Sequence, residues 1–258
     1  MLGSYEDFKK SVFQLIHLDL NAYKERQMKR RIDALITKHK FESYMDYVKA
    51  IKTDKALLNE FVNYLTINVS EFYRNPEQWD ILEKEILPEK LHSGAPLKIW
   101  SAACSTGEEP YSLVMLLSKF MPLSKIKIIA TDLDEQVLEK AQIGVYNEKF
   151  LKSLPEEFKK KYFTYINDKS LQISSQIKNQ VEFRKHDLLK DPYPTDCDII
   201  VCRNVMIYFT EEAKTGIYAS FHKSLKNGGY LFVGSTEQII QASEIGFKSY
   251  KSFFYLKL

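Results

Sequence analysis

Glycine is nearly missing from the first third of this 258-residue chain: after Gly3 none occurs before Gly94. Such a stretch offers few sites for left-handed turns or close backbone approach. It reads as helix over Tyr5–His17, Asn21–Lys38, Phe41–Lys52 and Lys55–Leu65, with Asp19 and Ser43 near helix starts, which is the pattern of a compact bundle. Cysteine is scarce as well. Cys104, Cys197 and Cys202 are an odd number, each in an apolar or strand context. They argue against a disulfide framework and read as reduced core thiols. The five histidines are scattered, with no ligand spacing, so no metal is expected. No apolar run approaches the ~20 residues of a membrane span, so no direct membrane insertion is expected. The opening Met-Leu-Gly-Ser-Tyr-Glu-Asp lacks the basic and then apolar regions of a signal peptide, and a cytoplasmic location is expected. One-sided charge is lacking too: a net charge of +3 is too small to name a partner. The 45% apolar content nonetheless suffices for a real core, in one large domain or two modest ones.

What is present centres on Leu97-Lys-Ile-Trp-Ser-Ala-Ala-Cys-Ser-Thr-Gly-Glu-Glu-Pro-Tyr111. Leu97, Ile99 and Trp100 favour a strand. Ser101 to Gly107 is nearly free of bulk, so a ligand could approach the backbone. Glu108, Glu109 and Pro110 suit a first helical turn. A strand, loop and helix in this order build a nucleotide site in doubly wound folds. The acidic helix start argues against phosphate and suits a ligand with hydroxyls or positive charge. A second strand, Ile126-Lys-Ile-Ile-Ala-Thr-Asp-Leu-Asp134, ends on acids. It begins about 20 residues after Gly107, the separation at which a carboxylate reaches a ribose. S-adenosylmethionine fits both observations, having a ribose diol, a sulfonium, an amino-acid tail and no phosphate. An ordinary βαβ unit whose acids cap helices would read the same on these two segments alone.

Two further constellations frame this unit. Thr66-x-Asn68-x-Ser70-x-Phe72-Tyr73-Arg74 precedes the first strand, and Cys202-Arg-Asn-Val-Met-Ile-Tyr-Phe209 ends a later one. Together with Ser105-Thr-Gly-Glu-Glu-Pro-Tyr-Ser112, they resemble the CheR-type chemotaxis receptor glutamate O-methyltransferases. The order matches over nearly the whole chain. The resemblance implies transfer of a methyl group from S-adenosylmethionine to glutamates on cytoplasmic methylation helices of chemoreceptors, leaving S-adenosylhomocysteine. It implies no metal and no nucleic-acid partner, and a monomer is expected. The implied fold is α/β, a class I Rossmann-like methyltransferase domain with a small β-subdomain insertion, preceded by an all-α N-terminal domain. An antiparallel last strand comes with that implication.

The residue roles follow from the resemblance and from residue chemistry. Asn68, Ser70 and Arg74 would lie against the cofactor. Arg74 would bind its carboxylate or sit near the incoming glutamate, because a guanidinium pairs with carboxylates in forked geometry. Glu109, with Glu108 as alternative, would face the amino-acid end. Asp132, with Asp134 as runner-up, would take the ribose. Asp187 and Leu188 follow the third core strand, where adenine is usually held; simple capping would also explain Asp187. Asn204 and Val205 would line the floor with Tyr208 above them. Arg74, Asn204 and Tyr208 are the positioning candidates for catalysis.

Along the chain, residues 1–72 read as a helical domain, 73–96 as a linker with a helix around Pro76–Ile86, and 97–258 as the methyltransferase domain. Strands are expected at 97–103, 126–131, 181–187, 198–202 and 230–234, with helices at 109–120, 135–142 and 211–225. The continuous apolar run Asp198–Cys202 reads as a central parallel strand, and residues 247–257 as a terminal hairpin. Residues 144–180 interrupt this alternation as an inserted β-subdomain, with a turn at Asn167–Ser170. In some CheR-type proteins this subdomain docks a receptor's C-terminal peptide; the short, glycine-free turn here does not carry that role over.

Tyr23–Lys40 is amphipathic, with Met28, Ile32, Leu35 and Ile36 on one face and Arg26, Lys29, Arg30 and Arg31 outside it. A solvated face is the usual meaning of such a stripe. Under the resemblance it would meet acidic receptor helices. Two rival functions stand beside this one: a methyltransferase of another substrate class, or a cofactor-binding signalling module.

Overall fold

Side-chain caps set the helix starts of the N-terminal region. α1 (Tyr5–Ile16) begins after Ser4, whose hydroxyl accepts from the Asp7 N–H. A single 3-10 turn, Leu20–Ala22, then stands where the sequence suggests that a long helix has already begun. Asp19 caps that turn, and Tyr23 swings into extended backbone to form an antiparallel bridge with Phe209. α2 (Glu25–Lys38) follows and buries Met28, Ile32, Leu35 and Ile36, the face its periodicity predicts. α3 (Tyr44–Thr53) is capped by Ser43, and α4 (Lys55–Thr66) by Asp54. Aromatic rings fill the space between helices: Phe8 packs 5.1 Å from Tyr44, and Tyr47 lies 5.9 Å from Phe61. Full burial of each such side chain contributes roughly 1.5–3 kcal/mol.

The structure, a computed structural model, describes residues 2–92 and 94–258. Its packing separates two units. The first takes the chain up to Asn68 together with Met206–Gly216. The second comprises Val69–Val205 and Ile217–Leu258. Among the described residues, no helix is long and apolar enough to cross a membrane.

The second unit opens with α5 (Pro76–Ile81), a π-turn (Leu82–Ile86) and α6 (Leu87–Leu91). Pro88 cannot donate to the carbonyl one turn back and its ring crowds that carbonyl, which accounts for the widened turn before it. The core then alternates: β1 (Ile99–Ala102), α7 (Glu108–Leu117), β2 (Ile128–Asp132) and α8 (Glu135–Ile143). Next comes a subdomain of β3 (Val145–Asn147), α9 (Glu156–Tyr162), β4 (Phe163–Asn167), β5 (Ser170–Ile173) and α10 (Ser175–Lys178). Its small sheet runs β3-β5-β4. β3 has no sequence counterpart, because three residues are too few for a period to register. β6 (Val181–Lys185), β7 (Cys197–Cys202), α11 (Glu211–Ser224), β8 (Leu225–Val233), β9 (Phe247–Lys251) and β10 (Phe254–Lys257) complete the chain.

The large sheet has the order β6-β2-β1-β7-β8-β10-β9. β1 is parallel to both β2 and β7, with Ile99 beside Ile128 on one side and Ile199 on the other. β10 is antiparallel to β8 and β9. β8 starts at Leu225, five residues before the strand suggested by sequence, because Asn227-Gly228-Gly229 forms an irregularity inside the strand instead of a turn before it. The strand order reverses at β1, so the crevice of this doubly wound sheet opens past the carboxyl ends of β1 and β7.

Candidate active site

The loop leaving β1 is strained. Ala103, Ser105 and Gly107 all have left-handed backbone, at φ 63°, 48° and 93°. Such backbone persists only where neighbours fix it, and here they do. The Cys104 N–H donates to the Thr131 carbonyl at 2.9 Å, and the Ser105 N–H to Asp132 Oδ2 at 2.8 Å. Gly107 leaves no room for a side chain: a Cβ there would lie 2.8 Å from the Ala141 methyl carbon.

Four acids gather at these strand ends. Glu108 is buried, and the Thr106 hydroxyl lies within hydrogen-bond reach of both its carboxylate oxygens, at 2.9 and 2.7 Å. Burial raises its pKa, opposed by hydrogen bonds from Thr106 and Ser70. Glu109 accepts from the Ser101 hydroxyl at 2.8 Å and stands 3.7 Å from an Arg203 nitrogen. Burial pushes its pKa up to about 7, with Arg203 pulling against it. Asp132, at the end of β2, is raised to about 6 by burial, opposed by backbone donors from Asp134 and Ser105. Asp134 caps α8 by accepting the Gln136 N–H at 2.9 Å.

Asp187 sits one residue beyond His186 after β6. Its side chain accepts the Leu189 N–H at 2.9 Å and lies 3.6 Å from Lys190 Nζ, so it caps its own turn. The Leu188 carbonyl accepts the Tyr193 hydroxyl at 2.6 Å. Asn204 has φ 61°, and its N–H donates to Glu237 Oε2 at 2.6 Å. Val205 follows, half-buried. Arg74 is half-buried and donates through Nη1 to the Val69 carbonyl at 3.2 Å. The second unit thus brings Glu108, Glu109, Ser70, Arg74 and Asn204 around the ends of β1 and β7, and Asp132 beside the β1 loop.

The remaining sequence candidates belong to the helical unit. Asn68 donates to the Thr66 hydroxyl at 2.9 Å, and the Tyr208 carbonyl accepts the Lys24 N–H at 2.9 Å. On α2, Arg26 and Arg30 are exposed. Lys29 pairs with Asp33 at 2.9 Å and lies over the Tyr5 and Tyr44 rings. Arg31 donates to the Tyr64 carbonyl and stacks 4.6 Å from that ring. Half of the basic stripe is therefore engaged within its own unit.

Two buried side chains central to this geometry escape the sequence reading. Arg203 ends the apolar strand β7, and a charge closing an apolar run is the signal that was there. Glu237 accepts two backbone N–H groups, from Asn204 and Gly234. It lies in a loop without periodicity and gives no such signal. Among the described residues no group of histidine, cysteine and acidic side chains is placed to hold a metal.

Comparison with known proteins gives a consistent picture. Residues 68–254 match the family described as CheR methyltransferase, SAM binding domain. Residues 3–66 match its all-alpha domain. The chain is similar to a chemotaxis protein methyltransferase of Listeria monocytogenes, with 44% identity over 254 residues, 98% of this chain and 97% of that one. A protein of the same description from Borreliella burgdorferi is 33% identical over 243 residues, 89% and 86% of the two chains. Chemotaxis protein methyltransferase 1 of Pseudomonas aeruginosa is 33% identical over 249 residues, 92% and 90%.

Proposed function

This chain belongs to the CheR methyltransferase family, and on that premise we propose that it methylates glutamate side chains on cytoplasmic helices of chemoreceptors. The family carries out S-adenosylmethionine-dependent methylation in chemotaxis, and the finer reading concerns acceptor and residues. The observation that supports it most is the pairing of the largely enclosed Glu109 with buried Arg203, which also holds the Arg74 carbonyl, at the strand switch point.

The donor set fits the cofactor. A ribose diol and an ammonium are hydrogen-bond donors, and the crevice offers carboxylates at Asp132 and Glu109. A phosphate would instead meet Glu108 and Glu109 at the start of α7, an unfavourable encounter. When bound, the cofactor supplies an electrophilic methyl group. In this reading Asp132 holds the ribose and Glu109 the ammonium, while Asp134 serves its helix. Arg74 meets a carboxylate, that of the cofactor or of the acceptor. Asn204 and Val205 shape the floor, and Asp187 and Leu188 flank the adenine. Asn68 and Tyr208 enter only through the family's motifs.

A glutamate acceptor needs no general base. Its ordinary pKa is about 4.3, so it is already anionic at neutral pH. What the protein must do is align an oxygen with the methyl carbon and keep water away, which is catalysis by proximity and orientation. The deciding experiment incubates the protein with methyl-labelled S-adenosylmethionine and receptor cytoplasmic fragments. Label released in mild base marks an ester on a carboxylate. Base-stable label would mark methylation of nitrogen and sink the glutamate reading.

A further inference from the structure

Arg203 closes β7 with its side chain inside the protein, 7% exposed. A buried guanidinium is tolerated only where its charge and most of its donors are met; here Nε is buried without a hydrogen-bond partner, and the two terminal nitrogens make the contacts. Nη2 donates to the Arg74 carbonyl at 2.7 Å, to Gln78 Oε1 at 2.7 Å and to Asn75 Oδ1 at 3.2 Å. Nη1 faces Glu109 Oε2 at 3.7 Å. The guanidinium carbon lies 4.7 Å from the centre of the Phe232 ring and 5.8 Å from Trp79. The Trp79 indole N–H donates to the same Arg74 carbonyl at 3.0 Å. That carbonyl sits between Tyr73 and Asn75, both left-handed at φ 52° and 58°. Asparagine visits that region readily, whereas a bulky tyrosine holds it only under constraint. Here the constraint comes from Arg203 and Trp79, which both donate to the Arg74 carbonyl, and from the Ser112 hydroxyl, which accepts the Tyr73 N–H at 3.2 Å.

We propose that Arg203 is a positioning residue for methyl transfer, holding the Arg74 turn and the Glu109 carboxylate in one fixed arrangement. This rests on the reading above, in which Arg74 and Glu109 meet the ionic groups of the reactants. One side chain then registers the carboxylate-binding arginine against the ammonium-binding acid. Neither can shift without breaking a buried hydrogen bond or ion pair. Arg203 itself touches no reacting atom.

The electrostatics give the test its readout. The groups facing Glu109 are Arg203, Arg74 and the Ser101 hydroxyl, which favour its ionised form, and Glu237, which opposes it. Glu108 is its neighbour on α7. The buried Cys104 and Cys202 thiols, pushed well up by desolvation, stay protonated beside it. Lysine offers one compact ammonium where arginine presents five N–H donors in a plane. Arg203→Lys therefore keeps the charge but cannot serve Arg74, Gln78 and Glu109 together.

Calorimetry of S-adenosylmethionine binding to the full chain, across neutral pH, is the experiment. Wild type should gain affinity as pH rises through about 7, and Glu109→Gln should lose that step. In Arg203→Lys the step should move upward, with affinity at neutral pH down by roughly tenfold, the effect of one pH unit. In initial-rate kinetics on the same variants, Arg74→Lys, harmful to turnover alone, should add little on top of Arg203→Lys, because coupled residues are non-additive. Gln78→Met removes one acceptor and leaves the guanidinium in place. It should show a smaller form of the same non-additivity and serves if the lysine variant does not fold. A folded Arg203→Lys with the wild-type pH step, or full additivity of Gln78→Met with Arg74→Lys, would overturn the inference. Absence of cofactor binding by wild type would overturn the functional reading instead.

Discussion

The backbone N–H of Lys24 donates to the carbonyl oxygen of Tyr208 at 2.9 Å, inside the helical unit. The Thr210 N–H donates back to the Ala22 carbonyl at 2.9 Å, and the Tyr23 and Phe209 rings pack 4.9 Å apart. Within the helical unit, Tyr208 and Phe209 are thereby tied to the entrance of the basic helix α2. Two features that the sequence presents more than 180 residues apart share one small ladder. Phe209 is 4% exposed. Its truncation, Phe209→Ala, should destabilise the protein by about 3–5 kcal/mol, the usual cost of emptying a buried phenylalanine site. Denaturant unfolding measures this. A loss below about 1 kcal/mol would mean that the ladder does not hold the turn.

Asp132 should bind the cofactor only when ionised. Burial raises its pKa to about 6, so a proton competes with the ribose hydroxyls as pH falls through that value. Affinity should therefore weaken between neutral and mildly acidic pH. Asp132→Asn should weaken binding at neutral pH by roughly 1–3 kcal/mol, the worth of hydrogen bonds to a charged group. It should also flatten the pH dependence in this range once the Glu109 step is removed by Glu109→Gln. Calorimetry that finds wild-type affinity in Asp132→Asn would take this residue out of the site.

Much of this arrangement was legible in the chain, for identifiable reasons. β1, β2 and β7 announce themselves because buried parallel strands are continuously apolar, as in Asp198-Ile-Ile-Val-Cys202. The α2 face was legible because Met28, Ile32, Leu35 and Ile36 recur at helical spacing. The choice between Asp132 and Asp134 was not, since the two acids stand two residues apart after the same apolar run. The structure gives Asp134 to the α8 cap, a role that depends on where the helix starts. The partners of Arg203 were hidden because Arg74, Asn75 and Gln78 lie more than 120 residues away. No local pattern encodes a contact of that range. The engagement of Lys29 with Asp33 and of Arg31 with Tyr64 was hidden likewise, because helical spacing shows which face a side chain leaves from, not what it finds there.

Arg74 should be more sensitive to shape than to charge. Its guanidinium is half-buried and bonded to the Val69 carbonyl, so replacement costs the fold little. Arg74→Lys keeps the positive charge but loses the planar fork that matches a carboxylate. Turnover should fall by roughly tenfold or more while unfolding stays within about 0.5 kcal/mol of wild type. Initial-rate kinetics with a receptor fragment, alongside a denaturation curve, separates the two. Wild-type turnover in the lysine variant would reduce Arg74 to a point charge.

The basic helix gives the last prediction, and the structure narrows it. Lys29 and Arg31 are committed to partners within the unit, whereas Arg26 and Arg30 are exposed on α2. If this face docks acidic receptor helices, those two arginines carry the encounter. Reversing both, Arg26→Glu and Arg30→Glu, should leave cofactor affinity unchanged, because none of the residues proposed to hold the cofactor lies on α2. Receptor methylation should fall sharply in kcat/KM, since like charges across an interface repel. The defect should be largest at low salt and shrink as added ions screen exposed charges. Reversing Lys29 instead should cost stability first, through Asp33 and the Tyr5 and Tyr44 rings it covers. The measurement is methylation of a receptor fragment across salt concentrations, with cofactor calorimetry as the control. Equal methylation by the double variant and wild type at low salt would leave the stripe a solvated face, and recognition would have to lie elsewhere on the chain.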